Sequence, residues 1–259
     1  MNTVDLHYER SAATGAPVLL LGGSLGATAQ LWAPQVQGLQ NRLDLIAFEQ
    51  RGHGQSPAPP GPYSIADLGR DVLTLMDRLG LERASYCGIS LGGMVGLWLA
   101  ANAPERIERL IAMCTSAYAP PASAWEERAA QVRTAGTPAV LAPTVVQRWF
   151  TPDWAQQHPD VVASCQKMVG STDAGAYAAC AEAIGAYDLR AGLPSITAPT
   201  LVISAADDPT LPPEHQQQIA ALIPGARLES IPDAAHLVSI QHPDAVNRLL
   251  AAHLGVSAD

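Results

Sequence analysis

The stretch YCGISLGGMVGLW runs from Tyr86 to Trp98. An apolar run ends at Ile89, a serine follows, and glycines stand at 88, 92 and 93. A simple turn needs one glycine. Three of them around one hydroxyl predict backbone packed so tightly that Ser90 is forced to point outward. Gly88-Ile89-Ser90-Leu91-Gly92 has the form G-x-S-x-G. ASYCGI (Ala84 to Ile89) reads as a buried strand, and LGGMVGLWLAANAP reads as a helix that lasts until Pro104 nears. Strand, sharp turn, helix is the context in which this motif presents a nucleophile. Side chains two residues to either side of the serine would collide in such a turn, so glycine is expected at 88 and 92. The helix onset brings free N–H groups and a positive dipole end beside the hydroxyl.

Further strand-like runs surround this one: VLLL (Val18 to Leu21), LDLIAF (Leu43 to Phe48), RLIAMC (Arg109 to Cys114), TLVIS (Thr200 to Ser204) and ARLESI (Ala226 to Ile231). Between them lie helical patterns. Ile65, Leu68, Val72, Leu75, Met76 and Leu79 share one helical face, with Gly80 as its cap. HPDAVNRLLAAHL closes the chain, with Pro243 at its start. Such alternation predicts an α/β fold, a mostly parallel sheet with helices on both faces. Only VDLHYE, which includes His7, precedes VLLL, so a shortened sheet edge and seven strands are expected. From about Ser116 to Leu193 good strands cease, and alanine-rich helical pieces carry Trp125, Trp149, Phe150 and Trp154. This predicts a core of residues 1–115 and 194–259 with a helical lid, 116–193, inserted between two core strands.

The chain of 259 residues is 48% hydrophobic and 15% charged, which suits one large folded unit. Its formal net charge of -9 argues against nucleic acid or an anionic membrane as partner. No apolar run approaches the ~18 residues of a membrane span, and the start, MNTVDLHYER, lacks a signal peptide's basic and apolar regions. A cytoplasmic protein is expected. Cys87, Cys114, Cys165 and Cys180 form no C-x-x-C pair or zinc-site spacing and read as buried thiols. The oligomeric state is not legible.

A serine hydroxyl is a weak nucleophile and needs a base, and the base needs an orienting acid. Of seven histidines, His236 follows the strand ARLESI and precedes the closing helix. It therefore lies at the same end of the sheet as Ser90. His53, in RGHG, reads as a turn residue near the mouth, and His158, His215, His242 and His253 as lid or surface positions. Two acids follow TLVIS, Asp207 and Asp208. Asp208 is preferred because Asp208-Pro209-Thr210-Leu211-Pro212-Pro213 fits a D-P-x-x-P-P pattern. The order Ser, acid, His matches a known triad order. An oxyanion site needs two preset N–H donors. Leu91, after the serine, supplies one, and Leu25, in GGSLGATAQLW after VLLL, supplies the other.

Together these residues resemble the α/β-hydrolase superfamily over nearly the whole chain, and within it the 3-oxoadipate enol-lactonases. The resemblance rests on SLG (24–26), LWAPQV (31–36), RGHGQS (51–56), GPYSIADLGRDVL from Gly61 and CGISLGGM from Cys87. RWFTP from Arg148 and YAACAEAI from Tyr177 extend it into the lid. Three positions depart from that family: Gly23 stands where asparagine is usual, Glu49 where aspartate is usual, and GISLGG where G-L-S-M-G-G is common. The resemblance implies opening of a small anionic lactone by Ser90, Asp208 and His236, with no metal or organic cofactor. Alternatives are another esterase, lactonase or C–C hydrolase, or a receptor-like protein that binds without turnover. A dehalogenase is excluded, because its elbow carries aspartate where Ser90 stands. An anionic substrate facing a chain of charge -9 needs a local cation. Arg133 and Arg148 are the expected candidates, with Trp149 covering the ring.

Overall fold

The computed structural model describes residues 3–11 and 15–257. Among them is a seven-stranded sheet in the order β1-β3-β2-β4-β5-β6-β7. The strands are β1 (Tyr8–Ser11), β2 (Val18–Gly22), β3 (Asp44–Phe48), β4 (Ala84–Ile89), β5 (Ile107–Met113), β6 (Thr200–Ala205) and β7 (Arg227–Ile231). Only β1 runs antiparallel, pairing Tyr8 with Phe48 and Ser11 with Leu45. The short edge is therefore a four-residue strand. His7 falls one residue before it, and its carbonyl accepts the N–H of Glu49. The central strands β3, β4 and β6 are buried along their whole length, as expected of a sheet covered on both faces.

The covering helices are α1 (Ala33–Leu39), α2 (Ile65–Arg78), α3 (Leu91–Asn102), and, later in the chain, a group between β5 and β6. That group is α4 (Ala122–Ala135), α5 (Ala142–Val146), α6 (Pro152–Gln157), α7 (Pro159–Gly170) and α8 (Ala174–Gly185). Then follow α9 (Pro213–Leu222), α10 (Val238–Gln241) and α11 (Pro243–Leu254). Helix α2 starts with a reciprocal cap between Ser64 and Asp67 and stops at Leu79, after which Gly80 turns left-handed at φ 68°. In the α4–α8 insert, α4 and α8 pack side by side. A single bridge between Tyr118 and Asp188 ties the insert's two ends together at its base. The four cysteines are free and buried, and burial pushes the Cys87 thiol well up.

Strand order turns back at β2 and β4, which are neighbours although β3 lies between them in sequence. At such a switch point the connections leave in opposite directions and open a crevice at the carboxyl ends of the strands. Four loops meet there, those after β2, β4, β6 and β7.

Candidate active site

The loop after β4 has no residues to spare. Ser90 lies between Ile89, the last residue of β4, and Leu91, the first of α3. Its backbone is at φ 56°, a region that non-glycine residues rarely adopt. Neighbours hold it there: its N–H donates to Met113 O at 3.0 Å, and Thr115 Oγ1 donates to its carbonyl at 2.6 Å. A Cβ on Gly88 would lie 2.2 Å from Gly92 O, and one on Gly92 would lie 2.1 Å from Gly22 O. Both glycines are thus needed for close backbone approach.

Asp208 and His236 meet across the crevice. His236 Nδ1 lies 2.7 Å from Asp208 Oδ2, and both side chains are fully buried. The other carboxylate oxygen accepts N–H groups from Thr210 at 2.8 Å and Leu211 at 3.1 Å. With a carboxylate as acceptor, the Nδ1 proton is fixed and the Nε2 lone pair is left for another donor. Asp207 is exposed, and its backbone N–H serves the His236 loop through Ala234 O at 2.9 Å. The order of the twin aspartates is therefore decided by which one turns inward.

The loop after β2 forms a turn over Ser24 to Ala27, closed by Ala27 N–H to Ser24 O at 3.0 Å, with Gly26 at φ 82° in its third position. Glycine suits that position of such a turn. The loop is tied to the elbow by Gly92 N–H to Gly23 O at 3.0 Å. Leu91 is the first residue of α3, where an N–H has no acceptor within its own helix. His53, expected near the mouth, is instead completely buried, with Nε2 2.9 Å from Gly26 N. A space at residue 23 remains: a Cβ on Gly23 would meet nothing closer than 3.6 Å.

Ser90, His236, Ser24 and Leu25 line a cavity of about 650 Å³, counting its open mouth, roofed by the insert. Trp149 and Arg148 line it too. Trp149 is buried, and its carbonyl accepts Leu237 N–H at 2.9 Å, joining the insert to the residue beside His236. Arg148 is exposed and makes no side-chain hydrogen bond or ion pair among the described residues.

The expectation for Arg133 is corrected. Arg133 does not line the cavity. It reaches from α4 to Glu182 on α8 in a two-pronged ion pair, with Nη2 2.8 Å from Oε2, on a half-exposed flank. That pair holds the Arg133 guanidinium above, and the Glu182 carboxyl below, their usual ranges. Arg128 takes the inward place instead. Its Nε donates to Tyr177 Oη at 2.9 Å, and its guanidinium lies over the rings of Tyr177 and Trp125, 5.3 and 5.4 Å from their centroids. Among the described residues it has no carboxylate partner. Helix geometry explains the exchange: at 3.6 residues per turn, Trp125 and Arg128 share a face, while five further positions rotate Arg133 about 140° away. Gln241 also escaped sequence reading. It joins Thr151 of the insert to Asp233 and Ala235 of the His236 loop.

The sequence profile of the α/β-hydrolase fold matches residues 16–243. The chain belongs to the α/β-hydrolase family. It is 37% identical to 3-oxoadipate enol-lactonase 2 of Acinetobacter baylyi, over 96% of this chain and 92% of that one. The crystal structure of the enol-lactonase from Burkholderia xenovorans LB400 superposes with a TM-score of 0.94 at 39% identity, covering 97% of both chains. A protein of Stutzerimonas stutzeri, named provisionally as carbamate hydrolase RutD, is 30% identical over 96% of both chains. Fold and relatives together make the protein a hydrolase acting on ester bonds. Among the described residues no helix is long and apolar enough to cross a membrane.

Proposed function

We propose that this protein opens the ring of a small anionic enol-lactone, 3-oxoadipate enol-lactone, by covalent serine catalysis. The observation that carries the reading is the convergence on one cavity of Ser90, an aspartate-bound His236, and two arginines, Arg128 and Arg148, that no carboxylate of the described residues neutralises. In this reading His236 Nε2 takes the Ser90 proton as Oγ attacks the lactone carbonyl. The Leu25 and Leu91 amides hold the resulting oxyanion. Collapse breaks the ring C–O bond and releases an enolate oxygen on the same molecule; the enolate takes the proton held by His236, becoming a ketone and leaving His236 neutral. Water, deprotonated by His236, then attacks the acyl-serine, and the acid leaves as Ser90 recovers its proton. Asp208 holds the imidazole in the required tautomer and stabilises it when charged.

The insert acts as a lid, residues 116–193, and the substrate carboxylate rests on Arg128 or Arg148 with Trp149 against the ring. The protein's overall charge of -9 repels such a substrate, so the local guanidinium groups must offset it. The reaction belongs to the breakdown of aromatic compounds, in a cytoplasm where the four free thiols stay reduced. The relatives named RutD favour one second reading, a small carbamate as substrate. Purified protein assayed on enzymatically generated 3-oxoadipate enol-lactone, on a simple carbamate and on p-nitrophenyl acetate separates the two. The lactone should give the highest kcat/KM. A carbamate preference would overturn the lactone reading.

A further inference from the structure

EQRGHGQS, Glu49 to Ser56, forms a loop with no direct place in the chemistry above. It is nonetheless among the most constrained parts of the molecule. Three backbone bonds fold it on itself: Gly52 N–H to Pro57 O, His53 N–H to Gln50 O and Ser56 N–H to His53 O, each 2.9 Å. Arg51 anchors it to α2 through Asp71, with Nε 2.6 Å from Oδ2 and Nη2 2.8 Å from Oδ1, both side chains buried. Gly54 is left-handed at φ 54°, and a Cβ there would strike the Glu49 carboxylate at 2.2 Å.

This loop grips the loop after β2 at two points. His53 Nε2 lies 2.9 Å from Gly26 N, and Glu49 Oε1 accepts the N–H of Ala29 at 3.3 Å. The second Glu49 oxygen accepts Gln55 N–H at 2.7 Å, so the carboxylate bridges the two loops. The chemistry of the His53 neighbours fixes its tautomer. A backbone N–H can only donate, so Nε2 must carry the lone pair. Nδ1 then carries the proton, and Arg51 O, 3.1 Å away, can only accept it. Charging the ring would set two donors face to face. Burial holds the imidazole neutral, with its pKa pushed down to about 4.

The residue gripped is the one that shapes the turn carrying Leu25. Gly26 is left-handed, and a Cβ on it would press Val169 and Tyr177 of the insert at 3.2 and 3.3 Å. The turn is thus held from the elbow by Gly92, from above by the insert and from below by His53. We propose that His53 is a positioning residue for oxyanion binding, fixing the Gly26 amide and through it the direction of the Leu25 N–H. This rests on the serine-hydrolase reading of the site, in which the oxyanion sits between Leu25 and Leu91.

The test compares His53→Met, which keeps bulk but leaves only a weak thioether acceptor, with His53→Gln, whose amide oxygen can replace Nε2. Loss of one oxyanion donor costs about 10²–10³ in kcat, so a displaced donor should lower kcat of His53→Met on p-nitrophenyl acetate by roughly 10- to 100-fold. KM should stay within about twofold. His53→Gln should recover most of the loss. Inhibition by an aliphatic trifluoromethyl ketone, which forms an oxyanion on the serine, should weaken in step with kcat. Nitrogen-15 NMR of the wild-type ring needs no variant and should show the neutral form protonated on Nδ1. Wild-type kcat in folded His53→Met, equal losses in both variants, or an Nε2-protonated ring would each overturn the role of His53 while leaving the serine reading intact. Undiminished ester turnover by Ser90→Ala would overturn the serine reading, and this inference with it.

Discussion

The floor of the cavity and its roof are built by different means. The floor is mainly backbone: the elbow at Ser90, the turn at Gly26 and the loop at Asp208 are held by main-chain bonds, by glycines whose replacement would force atoms together, and by a few buried braces such as His53 and Thr115. Its geometry follows from four strand ends of one sheet. The roof is side chains: Trp125 and Arg128 from α4, Thr144 from α5, and Arg148 and Trp149 just after it converge from two successive helices of the insert. The difference teaches a division of labour. In our account the floor performs the chemistry, which tolerates little displacement, and the roof selects the charge and shape of what reaches it.

The comparison breaks first at the floor. Ser90→Ala should keep the fold and lose ester and lactone hydrolysis by several orders of magnitude, toward the ~10⁶ seen when a triad serine is removed. Retention of even a tenth of wild-type kcat would sink the covalent mechanism. Next in size is the aspartate pair. Asp208→Asn should cost about 10⁴ in kcat by leaving His236 in the wrong tautomer, whereas Asp207→Asn, at an exposed position whose side chain has no hydrogen bond or ion pair among the described residues, should change kcat little. Kinetics of the two purified variants in the reverse order would refute the assignment.

The same contrast decides what could be read from the sequence. G-x-S-x-G, strand runs and chain order place Ser90, Asp208 and His236 in loops at one end of the sheet, because strand alternation fixes which end each loop occupies. Arg133 and Arg128 lie only five residues apart on one helix, so composition favours neither. Only the rotation of α4 against α8 decides, through the Glu182 pair on one side and Tyr177 on the other. The buried Ala129 and Val132 do not decide it either, because by helical rotation they point midway between the two arginines. His53 does lie in a turn, but its burial is not legible for a related reason. RGHG looks polar, yet its histidine finds both hydrogen-bond partners inside the protein.

Burial of His53 has a measurable cost. Its folded pKa of about 4 lies below the ordinary 6.5, so the unfolded chain binds its proton first as pH falls. The stability due to neutral His53 is complete above about pH 6.5 and is lost on acidification toward pH 4, a total of about 3 kcal/mol. Burial lowers the pKa of His215 and His253 as well, and their contribution has the same sign. Urea unfolding of wild type and His53→Gln at pH 7 and pH 4.5 isolates the His53 share. The variant's stability should fall distinctly less on acidification, and parallel losses would show that His53 is already charged in the folded protein.

The division of labour itself is tested most directly by charge selection at constant leaving group. The measurement is kcat/KM for mono-p-nitrophenyl succinate and for neutral p-nitrophenyl butyrate, in wild type, Arg128→Gln, Arg148→Gln and Arg133→Gln. A charge-assisted hydrogen bond is worth about 1.5–3 kcal/mol, or roughly ten- to more than a hundredfold. Wild type should prefer the succinate, and Arg128→Gln should lose that preference by about this factor while its butyrate rate stays within about twofold. Arg148, exposed at the mouth, should matter less, and Arg133→Gln should leave the ratio unchanged. Equal loss on both esters in Arg128→Gln, or a wild type indifferent to the carboxylate, would contradict the account.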